Sequence, residues 1–184
     1  MKRISVVGTS GSGKTTFAGR LSEILGIPHV ELDALHWEAD WMPAPDGVFR
    51  SRVQQAINAE SWVVDGNYGK MARDLVWERA DTVVWLDFSL LVILSRLLRR
   101  TFRRAVLGEE CCNGNREQLS RVFSRDSIIL WGLQTYKRRR AEYGVSLVLL
   151  GQRGAQTVRL RSPKEADRWL AQLPSEKLNL WTTT

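Results

Sequence analysis

Short runs of β-branched and other apolar residues alternate along the chain with segments whose apolar residues recur at helical spacing. The runs predict strands at residues 4–7, 29–32, 61–64, 82–86 and 145–150, with a weaker candidate at 157–160. Helical spacing predicts helices at 17–25, from Asp46 to about residue 60, at 90–104, at 116–143 and from Pro163 onward. This alternation predicts an α/β fold, in which a five-stranded parallel sheet carries helices on both faces.

The glycine-rich stretch between the first strand and the first helix carries the clearest functional signal. Its sequence, Gly8-Thr9-Ser10-Gly11-Ser12-Gly13-Lys14-Thr15-Thr16, matches G-x-x-x-x-G-K-[ST]. Glycines let successive backbone N–H groups turn towards a phosphate, and the following helix adds its positive N-terminal end. We therefore expect ATP as the ligand, with Lys14 at the β- and γ-phosphates and the Thr15 hydroxyl on Mg²⁺. The residues expected to bind the nucleotide are Gly8, Ser10, Gly11, Ser12, Gly13, Lys14, Thr15 and Thr16. The alternative is an ordinary glycine- and serine-rich turn.

Three aspartates directly follow predicted strands, at the edge where parallel sheets collect their ligands. Asp65 follows the apolar run Trp-Val-Val and fits the carboxylate that helps to hold Mg²⁺ in Walker-B motifs; the alternative is a turn residue before Gly66. Asp33 is expected to orient or deprotonate an acceptor hydroxyl, with a helix cap or turn as the alternative. For Asp87 we expect a helix-capping role.

The formal charge of +7 is concentrated in one segment of the chain. Twelve basic and four acidic residues lie between Arg96 and Arg140, whereas the rest of the chain is close to neutral. Guanidinium groups match phosphate oxygens, so the expected partner is anionic, either a nucleoside phosphate or a nucleic acid.

Other features argue against several classes of protein. No apolar run approaches the ~20 residues of a membrane span, and the first residues show no signal-peptide pattern. We therefore expect a cytoplasmic protein with no membrane partner. The two cysteines, Cys111 and Cys112, are adjacent, which argues against a disulfide and against a zinc site.

With these motifs, the chain resembles the adenylate-kinase-like P-loop NTPases. More narrowly, it resembles the bacterial topology modulation proteins, a group of AAA-type ATPase or adenylate-kinase relatives. The matching stretches are residues 8–16, the Leu-Asp-Ala-Leu-His-Trp block at 32–37, the Trp-Val-Val-Asp-Gly-Asn-Tyr block at 62–68, residues 81–87 and the arginine-rich helix after them.

The resemblance implies a three-layer P-loop NTPase fold in a single kinase-like domain. It implies a core of residues 1–32, 61–102 and 126–174, a helical acceptor-binding insert at about 33–60, an arginine-rich lid at about 103–125 and a C-terminal tail at 175–184.

The resemblance also implies roles for individual residues. Arg96 and Arg100, one helical turn apart, match the arginine pair that contacts the transferring phosphate. The substrate-binding candidates are Asp33, Trp37, Asp65, Asn67, Tyr68, Arg121 and Arg125, the last two as lid arginines. For the rings of Trp37 and Tyr68, core packing is the alternative. Adenylate kinases carry Phe-Pro-Arg where this chain has Asn67-Tyr68-Gly69, so the acceptor stays open.

Together these observations favour a small-molecule kinase of the nucleoside or nucleotide type, which transfers the γ-phosphate of Mg·ATP to an unidentified acceptor. The catalytic candidates are Lys14, Asp33, Arg96 and Arg100, and the metal-binding candidates are Thr15 and Asp65. Two alternatives remain: a regulatory ATPase, and a nucleotide-gated nucleic-acid-binding protein that affects DNA topology. We expect His36 to be structural, and both a monomer and a homodimer stay open.

Overall fold

The computed structural model describes residues 1–107, 112–115 and 128–174, and within these ranges strands and helices alternate along the chain. The elements are β1 (Arg3–Gly8), α1 (Lys14–Leu25), β2 (His29–Glu31), α2 (Leu32–His36), α3 (Asp46–Ala56), β3 (Trp62–Asp65), α4 (Arg73–Arg79), β4 (Thr82–Leu86), α5 (Leu90–Leu107), α6 (Ile128–Gln152), β5 (Gln156–Leu160) and α7 (Pro163–Ala171). Single 3₁₀ turns lie at Ala39–Trp41 and Cys112–Gly114.

The five strands form one parallel sheet in the order β2-β3-β1-β4-β5. Because the strands run parallel, their carboxyl ends meet at one edge of the sheet. Gly8, Asp65 and the start of α2 therefore lie at the same edge. The predicted α/β fold with a five-stranded parallel sheet is confirmed.

Helices cover both faces of this sheet. On one face, α1, α5 and α7 pack against the β1, β3 and β4 side chains of Val6, Val63 and Val84. On the other face, α3 and α4 pack near Trp62, and α6 packs near Trp85. Across the described ranges, no helix has both the length and the apolar character that a membrane crossing needs.

The predicted strand at 145–150 is wrong, since these residues form the last part of α6. Leu147 and Leu150 are buried, whereas Val145, Val148 and Leu149 are exposed. Burial at every third or fourth residue is the pattern of a helix with one face on a core, and a six-residue apolar run fits either structure. The fifth strand of the sheet is instead β5, at the weaker candidate predicted for 157–160.

Two leucine substitutions distinguish a helix from a strand in this segment. Leu147 and Leu149 would share one face of a strand, but in α6 only Leu147 is buried. We expect Leu147→Ala to lower the free energy of unfolding by about 2–3 kcal/mol and Leu149→Ala to change it by less than about 0.5 kcal/mol. Urea unfolding of both variants measures this difference. Equal losses would contradict the helix.

Other predicted boundaries differ in detail. The helix from Asp46 ends at Ala56 rather than near residue 60, and the helix predicted at 116–143 is described from Ile128 and continues to Gln152. The predicted lid at 103–125 is described only in part, and the tail at 175–184 lies outside the described residues.

Candidate active site

The glycine-rich loop joins β1 to α1 at the carboxyl edge of the sheet, as its sequence predicts. Gly11 and Gly13 adopt φ angles of 84° and 85°, in the left-handed region that favours glycine. A Cβ atom on Gly13 would lie 2.8 Å from Nη1 of Arg96. That same nitrogen donates a hydrogen bond of 2.6 Å to the Ser12 carbonyl, so the structure brings Arg96 of α5 against the loop.

The first side chain of α1, Lys14, lies among charged groups of both signs. Burial lowers the pKa of the Lys14 ammonium below its ordinary value; the carboxylates of Asp65 and Asp33 oppose this shift, and Arg139 and Arg100 add to it. Positive and negative groups therefore surround Lys14. Thr15 and Thr16, at the start of α1, are exposed.

Asp65 lies beside the threonine that is expected to hold the metal. The Thr15 hydroxyl donates to Oδ1 of Asp65 at 3.3 Å, and the other carboxylate oxygen, Oδ2, lies 2.8 Å from Nε2 of His29. Glu31 is close enough that its pKa is raised, mainly by burial and next by the charge of Asp65. The structure therefore groups Thr15, Asp65, His29 and Glu31 at one end of the loop.

The residues around the loop fit a magnesium nucleotide. The Ser12 hydroxyl is buried and has no hydrogen-bond partner among the described residues, so it is a polar atom that a phosphate oxygen would satisfy. Thr15 and Asp65 supply the oxygen donors that Mg²⁺ prefers. Within the described part of the chain, no group of three His, Cys, Asp or Glu side chains is arranged to hold a metal alone.

Asp33 is the second residue of α2, just after the end of β2, and is exposed. Its Oδ1 accepts a 2.7 Å hydrogen bond from the Tyr68 hydroxyl. The Tyr68 ring lies 4.7 Å from His36 and 4.9 Å from Phe49, measured between centroids. Tyr68 thus combines the packing of its ring with a polar contact to Asp33.

Trp37 is partly exposed beside this aromatic group. Its ring meets His36 edge-on at 4.8 Å and Trp41 at 5.7 Å. The 112–115 segment reaches the same region, where the Asn115 side chain donates to the Glu38 carbonyl and accepts from the Trp41 N–H, both at 2.8 Å. The acceptor-side candidates Asp33, Trp37 and Tyr68 are therefore neighbours.

Asn67 lies between the loop and α6. Its Nδ2 donates to the Gly8 carbonyl at 2.6 Å, and its Oδ1 accepts from the Tyr143 hydroxyl at 2.8 Å. These two hydrogen bonds connect the loop to α6. The role of Asn67 as a substrate contact stays a prediction.

The arginines of the basic segment, together with Arg159 of β5, divide into several groups. Arg96 contacts the loop through its hydrogen bond to Ser12, and Arg100 lies near Lys14. Their role at the transferred phosphate stays a prediction. Arg121 and Arg125, the predicted lid arginines, lie outside the described residues. Arg140 and Arg159 pair with the buried carboxylate of Asp87, at 3.0 Å and 2.6 Å, so Asp87 ties α6 to β5.

Sequence reasoning missed Arg139 and His29, as it missed Glu31 beside Asp65. Arg139 is buried in α6, and its positive charge contributes to the lowered pKa of Lys14. It falls on the buried stripe of Thr135, Tyr143 and Leu147, and this four-residue spacing could have distinguished it from its charged neighbours. His29 belongs to no motif, and only the register of β2 against β3 places it near Asp65.

His36 is buried in the aromatic group, and burial lowers the pKa of its imidazole. A lowered pKa means that the unfolded chain binds the proton more tightly, so stability falls as the pH drops below the ordinary histidine range of about 6.5. We expect the unfolding free energy to fall more between about pH 7.5 and pH 5.5 in the wild type than in His36→Gln. Urea unfolding at the two pH values measures this, and the same pH dependence in both proteins would contradict it.

Comparison with known proteins gives both sequence and structural matches. No family model matches the sequence. The chain is 33% identical over 112 residues to a shikimate kinase of Sulfurihydrogenibium sp. (strain YO3AOP1), an alignment that covers 53% of this chain and 67% of that protein.

Several solved structures have the same fold. A shikimate kinase of Bacteroides thetaiotaomicron matches with a TM-score of 0.56 at 16% identity, over 97% of this chain and 98% of that one. A sugar kinase of Janibacter sp. HTCC2649 matches with a TM-score of 0.55 at 18% identity, over 97% of both chains. A gluconokinase of Sinorhizobium meliloti 1021 matches with a TM-score of 0.52 at 23% identity, over 99% and 98%.

Proposed function

Because the chain belongs to the same family of P-loop kinases as shikimate kinase, we propose that it transfers the γ-phosphate of Mg·ATP to a hydroxyl group of a small acceptor. The enzyme is a phosphotransferase. One observation supports the proposal most: the loop with Lys14, the Thr15–Asp65 pair and Arg96 lies at the same sheet edge as the Asp33–Tyr68 pair.

The nucleotide side of the site needs donors and positive charge. The loop N–H groups and Lys14 would hold the phosphates, and Thr15 with Asp65 would hold Mg²⁺. When bound, Mg·ATP would supply the phosphoryl group, and its magnesium would neutralise part of the negative charge of the phosphates. Arg96, Arg100 and Arg139 would add positive charge where the phosphate leaves the nucleotide.

The acceptor side of the site needs a general base and side chains that pack against the acceptor. The Tyr68 hydroxyl donates its hydrogen bond to Oδ1 of Asp33, so the other carboxylate oxygen, Oδ2, would accept the proton of the acceptor hydroxyl. The rings of Trp37 and Tyr68 would pack against the acceptor and exclude water, which otherwise competes as a nucleophile. The named activities of the relatives, shikimate kinase and gluconokinase, favour a small polyhydroxylated acceptor. Nucleosides stay in the proposal because of the resemblance to adenylate kinases.

A transfer assay tests this proposal. ³¹P NMR of the protein with Mg·ATP and a panel of nucleosides, sugars and hydroxy acids should give ADP and a new phosphomonoester for at least one acceptor. Lys14→Ala is the control for a contaminating kinase. Release of inorganic phosphate alone with every compound would favour the ATPase alternative. Absence of ADP in all samples would refute nucleotide turnover altogether.

A further inference from the structure

His29 contacts the carboxylate on which the metal site depends. Its Nε2 lies 2.8 Å from Oδ2 of Asp65, and the exposed fractions of the two side chains are 17% and 3%. The other carboxylate oxygen of Asp65, Oδ1, accepts a 3.3 Å hydrogen bond from the Thr15 hydroxyl. Each carboxylate oxygen therefore has its own partner, and the two partners fix the plane of the carboxylate.

The sheet places His29 on the correct side for this contact. In the parallel register, His29 lies opposite Val63, and Glu31 lies opposite Asp65. Side chains alternate between the faces of a sheet, so His29, Glu31 and Asp65 share one face. This face is covered by α1, which starts with Lys14 and Thr15. A Cβ atom on Gly19 of α1 would lie 3.9 Å from Nδ1 of His29, so the helix backs the ring.

Asp65 needs such a partner because it is buried beside another acid. Glu31 lies opposite Asp65 in the register of β2 against β3 and on the same face of the sheet, so the like charges of the two carboxylates repel each other. A donor at Oδ2 offsets this repulsion and fills a lone pair that would otherwise be buried without a hydrogen bond. Without this donor, the repulsion from Glu31 would favour rotation of the Asp65 side chain away from Thr15.

We propose that His29 is a positioning residue for the magnesium of the nucleotide complex: it holds Asp65 against Thr15 and so sets the affinity for the metal. The inference rests on the proposed function only in that Mg²⁺ binds at Thr15 together with a nucleotide. Groups that orient a metal-binding side chain in this way typically contribute 10- to 100-fold in metal affinity.

Calorimetry separates the metal from the nucleotide. The affinity for ADP is measured in EDTA, and the affinity of the ADP-loaded protein for Mg²⁺ is measured in a second titration. For His29→Ala we expect the Mg²⁺ affinity to fall about tenfold, with the affinity for metal-free ADP within about twofold of the wild type. His29→Gln, whose amide can donate to Asp65, should restore most of the Mg²⁺ affinity.

Two further variants keep the test independent of folding. His29→Leu replaces the ring with an apolar side chain and should match His29→Ala. Gly19→Ala changes the packing behind the ring but keeps the Nε2 contact, so it should bind Mg²⁺ as the wild type does.

Each contrary outcome is specific. Wild-type Mg²⁺ affinity in both His29→Ala and His29→Leu would overturn the inference alone. Equal losses of Mg²⁺ and of metal-free ADP, without rescue by glutamine, would assign His29 a purely structural role and overturn it too. A wild-type protein that binds no ADP under either condition would overturn the proposed function and the inference together.

Discussion

Replacing Lys14 with methionine is expected to lower kcat for phosphoryl transfer about 10³-fold, while the nucleotide-free protein becomes more stable. The loss of activity follows from removing the charge that faces the transferred phosphate. The gain in stability follows from burial, which lowers the pKa of this ammonium and so disfavours its charged form in the folded state. Steady-state kinetics and urea unfolding of the same variant measure both effects.

The pH dependence provides the control for this prediction. The unfolded chain binds the Lys14 proton more tightly, so the penalty is complete below the lowered pKa of the folded state and disappears as the pH rises towards the ordinary lysine value of about 10.4. The difference in stability between Lys14→Met and the wild type should therefore shrink as the pH rises. A variant that loses activity and stability together would show that Lys14 mainly supports the fold.

Replacing Asp33 with asparagine is expected to lower kcat by about 10²- to 10³-fold, which is the range for loss of a general base. The substituted amide keeps the size of the side chain and an oxygen for the Tyr68 hydroxyl, so the 2.7 Å contact can persist. The affinity for ADP should stay at the wild-type value, because Asp33 lies on the acceptor side. Initial rates with the acceptor found in the ³¹P screen, together with ADP calorimetry, provide the measurement.

Tyr68→Phe is the matched control for Asp33. It keeps the ring against His36 and Phe49 and removes only the hydroxyl. We expect a loss of roughly tenfold in kcat, since one hydrogen bond to a charged group contributes about 1.5 kcal/mol. If Asp33→Asn instead raised only KM for the acceptor and left kcat unchanged, Asp33 would bind the acceptor without acting as a base.

Local signals in the sequence predicted the glycine-rich loop and the strand and helix beside it well. A phosphate loop depends on residues that are adjacent in the chain, so the motif and its flanking strand and helix can be found together. The strands β1, β3 and β4 were also predictable, because each is a short run of mostly apolar residues that ends at a turn or an aspartate. The aspartates at 33 and 65 were found by the same rule.

The remaining features depend on contacts between distant parts of the chain. The run at 145–150 reads as a strand until one knows which of its residues face Trp85 and Val83. The partner of Asp65 is 36 residues away in sequence, and the strand register that joins them has no local signature. Arg139 looks like its charged neighbours until the packing of α6 is known.

Asn67 has a consequence for how such a scaffold could change its substrate. Its amide links the carbonyl of Gly8 to the hydroxyl of Tyr143, so one side chain joins the glycine-rich loop to the helix that carries Arg139. A substitution of Asn67 would therefore disturb the loop and the helix α6 together. Sequence changes that alter the acceptor are therefore expected at more exposed rings such as Trp37 and Trp41, whereas Asn67 is expected to stay unchanged.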